Sequence, residues 1–238
     1  MHAPSFGTLK LFADGADLDA IRRLAAHSWI RGFTTNPTLM QKAGIRDYRA
    51  FADEVLATVS DRPVSFEVFS DDTDSMLRQA REISSWGDNV YVKIPVTNTH
   101  GVASEAVVRR LSAEGVKVNV TAVLTVEQVT ETMRHLRGGA PACISVFAGR
   151  IADTGRDPVP TILEAVDIVR DQPQIEIIWA SPRELLNIVQ AAHAGCHIIT
   201  VTEDLLRKLP LVGRDLTDYS LETVRMFFSD AQKAGLAL

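Results

Sequence analysis

Short β-rich runs alternate with helically patterned segments along the whole chain, and this alternation restricts the fold more than any other feature. Strands are expected at Leu9–Asp14, Gly32–Asn36, Val64–Phe69, Val90–Val96, Lys117–Val123, Cys143–Gly149, Ile175–Ala180 and Ile198–Thr202. Strict alternation of this kind implies a parallel sheet whose strands are joined by helical crossovers. Eight such units fit an α/β fold of the (β/α)8 TIM-barrel type, trimmed to this length. The alternative is an open doubly wound sheet, which usually has fewer strands and often carries a glycine-rich phosphate loop after the first. No GxGxxG follows Leu9–Asp14 here, so the barrel is preferred.

The intervening segments carry helix start and stop chemistry. Thr125-Val-Glu-Gln128 and Ser181-Pro-Arg-Glu184 both have the form of a capping box, the second with Pro182 at the first helical position. Gly115 and Gly195 fall where helices over Ser104–Glu114 and Pro182–Ala194 must end. No linker or low-complexity tract interrupts the pattern, so residues 1–238 are read as a single barrel domain. The segment from Leu216 to Leu238 reads as a final amphipathic helix, to pack on the barrel or on a neighbouring subunit.

Composition narrows the partners. The formal net charge is −5 with no basic run, which argues against nucleic acid or an anionic membrane surface. No apolar stretch approaches the roughly 20 residues of a membrane span, and the start, Met1 to Ser5, has no signal-peptide pattern. A cytoplasmic location is expected. Cys143 and Cys196 make neither a disulfide framework nor a metal-ligand spacing. His193 and His197 have i,i+4 spacing, but Gly195 breaks the helix between them, so no metal site is expected.

Barrel active sites lie at the carboxyl ends of the strands. The polar residues there are Asp14, Asn36, Glu67, Lys93, Asn119, Thr121, Ser145 and, just past the seventh strand, Ser181. Side chains alternate with period two, so Asn119 shares a face with Thr121, and Ser145 with Phe147. Lys93 is the sharpest candidate. Only six lysines stand against nineteen arginines, and Lys93 alone sits inside an apolar strand, Val90-Tyr-Val-Lys-Ile-Pro-Val96. An edge lysine that discourages aggregation is the plain structural reading, but a closed barrel has no edge. A buried lysine is the usual Schiff-base nucleophile, because desolvation disfavours the ammonium and frees the amine. On that logic Asp14 and Glu67 should stand about a water away from Lys93 rather than pair with it.

The other residues have structural readings too. Asp14 could cap a helix, Asn36-Pro37 could be a plain turn, and Ser181 is a good cap. Glu67 is harder to dismiss, because isolated interior carboxylates are rare. Arg150 and Arg183, with the helix start expected at Pro182, would suit a phosphate.

The segments Phe33-Thr-Thr-Asn-Pro37, Val92-Lys-Ile-Pro-Val96, Asn119-Val-Thr121, Ser145-Val-Phe-Ala-Gly-Arg150 and Ala180-Ser-Pro-Arg183 resemble those of the transaldolase family of class I aldolase barrels. The resemblance runs from the first strand to the last and lies with the short members, which include fructose-6-phosphate aldolases. It implies that Lys93 forms an imine with the ketose C2 and that Asp14 takes the C4 hydroxyl proton. Glu67 would shuttle protons through a water held with Thr121. Asn36, Asn119 and Ser145 would hold the three-carbon unit, and Arg150, Ser181 and Arg183 the phosphate. No cofactor or metal is implied; the partners are sugar phosphates, and short relatives often assemble as homo-oligomers through their last helix. Gly15, Pro182, Ala148 and Val146 depart from the family pattern and bear on substrate choice. Aldolase relatives tend to carry Gln and Tyr where this chain has Glu67 and Phe147, which favours transferase over lyase.

Overall fold

A computed structural model describes residues 6–236. The Met1–Ser5 start and the last two residues of the expected C-terminal helix lie outside this range. Eight parallel strands close in chain order into a barrel. They are β1 (Lys10–Asp14), β2 (Ile30–Thr34), β3 (Val64–Glu67), β4 (Val90–Pro95), β5 (Val118–Val123), β6 (Ala142–Val146), β7 (Ile175–Trp179) and β8 (Ile198–Thr202). The (β/α)8 expectation is met, with β8 where the sequence put it.

The helices are α1 (Leu18–Ala25), α2 (Pro37–Lys42), α3 (Tyr48–Thr58), α4 (Thr73–Ser84), α5 (Glu105–Ala113), α6 (Val126–Leu136), α7 (Ala148–Ala152), α8 (Val159–Ile168), α9 (Leu186–His193), α10 (Glu203–Leu206) and α11 (Leu216–Lys233). Strand expectations overran at the carboxyl ends, where the chain turns early. The sixth stops at Val146, and Phe147 is the N-cap of α7, so Arg150 rides a helix rather than following a strand. The second stops at Thr34, because Asn36 is already the N-cap of α2, its side chain accepting from Leu39 N. The Thr125–Gln128 capping box is present in both directions, and Gly115 and Gly195 take the left-handed conformation at their helix ends.

The second capping box does not form. Ser181 has φ +60°, not the extended conformation an N-cap needs, and helix α9 starts only at Leu186. The Asn187 side chain accepts from Arg183 N at 2.7 Å and Glu184 N at 3.1 Å, bracing the loop before the helix, while α9 itself has no side-chain cap.

The main core lies between barrel and helices. The apolar face of α5, Val107, Val108 and Leu111, is buried in it. A second cluster of Phe12, Cys143, Ile178, Ala180 and Ile198 plugs the barrel. Phe12 fits because Gly32 opposite it has no side chain: a Cβ there would stand 2.5 Å from the ring. Helix α11 has no buried residue; Leu216, Val224, Phe227 and Phe228 are all exposed. It does not pack on the barrel, which removes one of its two expected roles.

Candidate active site

Period-two alternation turns Asp14, Thr34, Glu67, Lys93, Asn119, Thr121, Ser145 and Thr200 to the inside of the barrel, above the Phe12 plug. They line a cavity of about 390 Å³ at the carboxyl ends of the strands, together with Asn36, Phe147, Arg150, Ser181 and Arg183. All eleven residues singled out from the sequence meet in this one cavity.

Lys93 is 6% exposed. Its Nζ donates to Thr35 O and to Glu67 Oε2, each at 2.8 Å. Direct pairing with Glu67 corrects the expectation of an intervening water. The cause is register: Glu67 and Lys93 are partners across the β3–β4 ladder, so their side chains leave the sheet side by side. A lone buried ammonium costs several kcal/mol, which the carboxylate contact offsets. The Tyr48 hydroxyl fixes the Glu67 backbone, donating to its O at 3.1 Å and accepting from its N at 2.8 Å.

Asp14 is not a helix cap; Asp17 caps α1 instead. Burial pushes the Asp14 carboxyl above its ordinary range, and nearby Glu67 adds to this, while the Lys93 charge and the Thr34 hydroxyl work against it. Thr34 Oγ1 donates to Asp14 Oδ1 at 2.7 Å, and Thr200 Oγ1 lies 2.5 Å from Thr34 Oγ1. The Asn36 amide, spared by the cap, reaches Asp14 Oδ2 at 3.5 Å.

Across the barrel, Ser145 Oγ donates to Asn119 Oδ1 at 2.7 Å, and Asn119 Nδ2 to Ser65 Oγ at 3.2 Å. Thr121 lies within a register shift of β5, between Val120 and Val123, where Ala122 takes φ +62°. Its buried Oγ1 makes no hydrogen bond among the described residues. That orphan hydroxyl costs free energy unless something in the cavity meets it.

On the far side, Arg183 forms a two-point ion pair with Asp153, Nε to Oδ1 at 3.1 Å and Nη2 to Oδ2 at 2.5 Å. The Arg150 guanidinium lies 6.0 Å from the centre of the Phe147 ring. A Cβ on Gly149 would fall 1.6 Å from Ser181 O, so glycine lets α7 press against the Ser181–Arg183 loop and gathers the two arginines. The expected helix N-terminus is not available as an anion site, since Asn187 already occupies the N–H groups of Arg183 and Glu184. The side chains remain as donors.

Sequence reasoning missed Thr34, Thr200, Ser65 and Tyr48. The first three were within reach of the alternation rule, as Thr34 precedes Asn36 by two and Thr200 precedes Thr202 by two. Nothing in the pattern pointed to Tyr48. Among the described residues, ligand-type side chains group at Glu105, Glu131 and His135, on the outer helices α5 and α6 rather than in the cavity.

Barrel, buried lysine, converging acids and two rim arginines define a (β/α)8 site with an amine at its centre. Comparison with known families matches residues 11–238 to the family described as Transaldolase/Fructose-6-phosphate aldolase. The chain is 38% identical over 231 residues to a probable transaldolase of Thermoanaerobacter sp., covering 97% of this chain and 100% of the relative. It is 40% identical over 216 residues to a probable transaldolase of Streptococcus agalactiae serotype V, covering 90% and 95%. A solved structure of a putative lyase/mutase from Burkholderia cenocepacia shares the fold, with a TM-score of 0.58 at 14% identity over 96% of this chain and 84% of that one. This chain belongs to the transaldolase/fructose-6-phosphate aldolase family.

Proposed function

We propose that this protein is a transaldolase that moves a dihydroxyacetone unit from a ketose phosphate to an aldose phosphate through an imine on Lys93. Fructose 6-phosphate or sedoheptulose 7-phosphate is the donor. The observation that carries this reading is one buried amine at the base of a cavity, in contact with a carboxylate and opposite a second. The chain acts as one barrel domain, and no metal or organic cofactor takes part in the steps.

Glu67 is the nearest base to take the proton Lys93 must lose before its lone pair attacks the ketose C2. The carbinolamine then loses water, its oxygen protonated by the same carboxyl, and leaves the iminium. Thr121 Oγ1, with no other partner, is the natural holder of that water. Asp14 takes the C4 hydroxyl proton, the C3–C4 bond breaks, and its electron pair passes into the iminium to give an enamine on Lys93. Glyceraldehyde 3-phosphate leaves when fructose 6-phosphate is the donor. The enamine carbon attacks the acceptor aldehyde, Asp14 returns its proton to the new oxygen, and hydrolysis frees the product. Asn36, Asn119 and Ser145 hold the hydroxyls of the three-carbon unit, while Arg150, Ser181 and Arg183 take the phosphate.

Transfer is preferred over lysis because Phe147 offers no hydroxyl to position a proton donor at the enamine carbon. The exposed apolar residues of α11 support self-association, with this helix covered by another copy. Borohydride reduction with fructose 6-phosphate, followed by peptide mass mapping, should leave a three-carbon adduct on Lys93; no adduct would favour a barrel that only binds sugar phosphates. Turnover should rise sharply when erythrose 4-phosphate is added. Equal release of glyceraldehyde 3-phosphate without it would make the protein a lyase.

A further inference from the structure

Asp14 is held by a chain of hydroxyls that the alternation of strands alone does not explain. A threonine hydroxyl has one proton to give. Thr34 gives its proton to Asp14 Oδ1 at 2.7 Å, so the 2.5 Å contact between Thr34 Oγ1 and Thr200 Oγ1 must be donated by Thr200. Both threonines are buried, and they sit on β2 and β8, the two strands that flank β1. The register sets Thr34 directly beside Asp14, with Thr200 one inward position lower on β8, beside Phe12. The chain is therefore one-way, Thr200 to Thr34 to Asp14 Oδ1. Oδ2 is left with only the long Asn36 amide contact at 3.5 Å.

We infer that Thr34 and Thr200 are positioning residues for Asp14, fixing its carboxylate so that Oδ2 is the oxygen that accepts and returns the proton. This rests on the reading of Asp14 as the base in C–C cleavage. Two hydroxyls in series polarise one another, so the second strengthens the first. A hydrogen bond to the charged form of a carboxyl favours that form, which opposes the upward push of burial on Asp14 and keeps it able to act as a base. The charged groups that face Asp14 are Lys93 from β4 and Glu67 from β3. β2 and β8 present hydroxyls, and Glu203 after β8 is turned towards Arg23 and Arg207. Arg150 and Arg183 line the opposite rim of the cavity.

The test replaces the hydroxyls while keeping shape, with Thr34→Val and Thr200→Val, and restores them with Thr34→Ser and Thr200→Ser. Losing a hydrogen bond to a charged group should lower kcat about 10-fold or more in Thr34→Val, and less in Thr200→Val, with KM for the ketose little changed. The acid limb of the kcat/KM profile should move to higher pH in both valine variants, and the serine variants should bring it back. Borohydride trapping on Lys93 should persist throughout, because imine formation does not use Asp14. If the wild type fails to trap, the transaldolase reading fails. If it traps but neither acid limb moves, the hydroxyl chain fails alone. The Asp14 carboxyl 13C titration needs no substrate and reads the same shift in any variant that folds; the wild-type midpoint recurring in Thr200→Val, with Thr34→Val unfolded, would also overturn the proposal.

Discussion

Two lysine–glutamate pairs stand at opposite ends of this barrel. At the carboxyl end Lys93 meets Glu67 at 2.8 Å, the side chains 8% and 15% exposed. At the amino end Lys10 grips both carboxylate oxygens of Glu176, at 2.6 and 2.7 Å, with exposures of 37% and 28%. The shorter, two-point pair is the more accessible one. Lys93 has Thr35 O, Asp14 and an open cavity around it, whereas Lys10 and Glu176 lie below the apolar plug, near Tyr91, Cys143 and His197. Burial raises the Cys143 thiol and the Tyr91 hydroxyl well above their ordinary values, so neither is a reactive anion near neutrality. The contrast teaches that chemistry follows the space and the unfilled hydrogen-bonding capacity around an amine, not the tightness of its ion pair.

The sharpest way to break the comparison is to remove each lysine. Lys93→Met should abolish borohydride trapping and lower transfer by about 10⁴-fold or more. Lys10→Met should trap normally and keep transfer within about threefold in the same assay, for want of any contact with the cavity. Equal losses would mean that the amino-end pair is not merely structural.

Neutralising each carboxylate comes next. Glu67→Gln removes the carboxylate in contact with buried Lys93 and should cost about 3–5 kcal/mol in urea denaturation. Glu176→Gln, at a more solvated pair, should cost about 1 kcal/mol or less. Between the two ends, Gly32→Ala pushes a Cβ into the Phe12 ring and should destabilise the barrel by about 1–3 kcal/mol, read the same way.

The smallest effect concerns pH at the amino end. His197 Nδ1 accepts from Ile177 N at 3.0 Å, and burial lowers its proton affinity. The folded protein thus binds this proton less readily than the unfolded chain. Its share of stability is present above the ordinary histidine value near 6.5 and is lost as pH falls from there through the lowered folded value. Thermal melts should drop from pH 7 to pH 5, and His197→Gln should flatten that slope; an unchanged slope would assign it to other groups.

Much of the fold was legible because β runs and helical segments obey local rules. The Val90–Val96 run could be read as buried and Lys93 as its one misfit, since seven residues of context suffice for both. The carboxyl ends were read less well. Phe147 opens a helix and Ser181 adopts a left-handed turn, and both depend on how α7 presses against the next loop through Gly149. Asn187 takes the acceptor place expected of Ser181 for the same reason: once Ser181 is turned, the loop N–H groups of Arg183 and Glu184 take the acceptor within reach.

Sequence by itself determined the repeating unit, its count, and which side chains of each strand share a face, because periodicity is a property of neighbouring residues. Only the tertiary structure decided which inward groups touch. The contact of Glu67 with Lys93 depends on ladder register, and that of Thr34 with Thr200 joins residues 166 apart that meet only when β8 closes against β1. Closure sets the stagger of all eight strands together, and no local pattern contains that constraint.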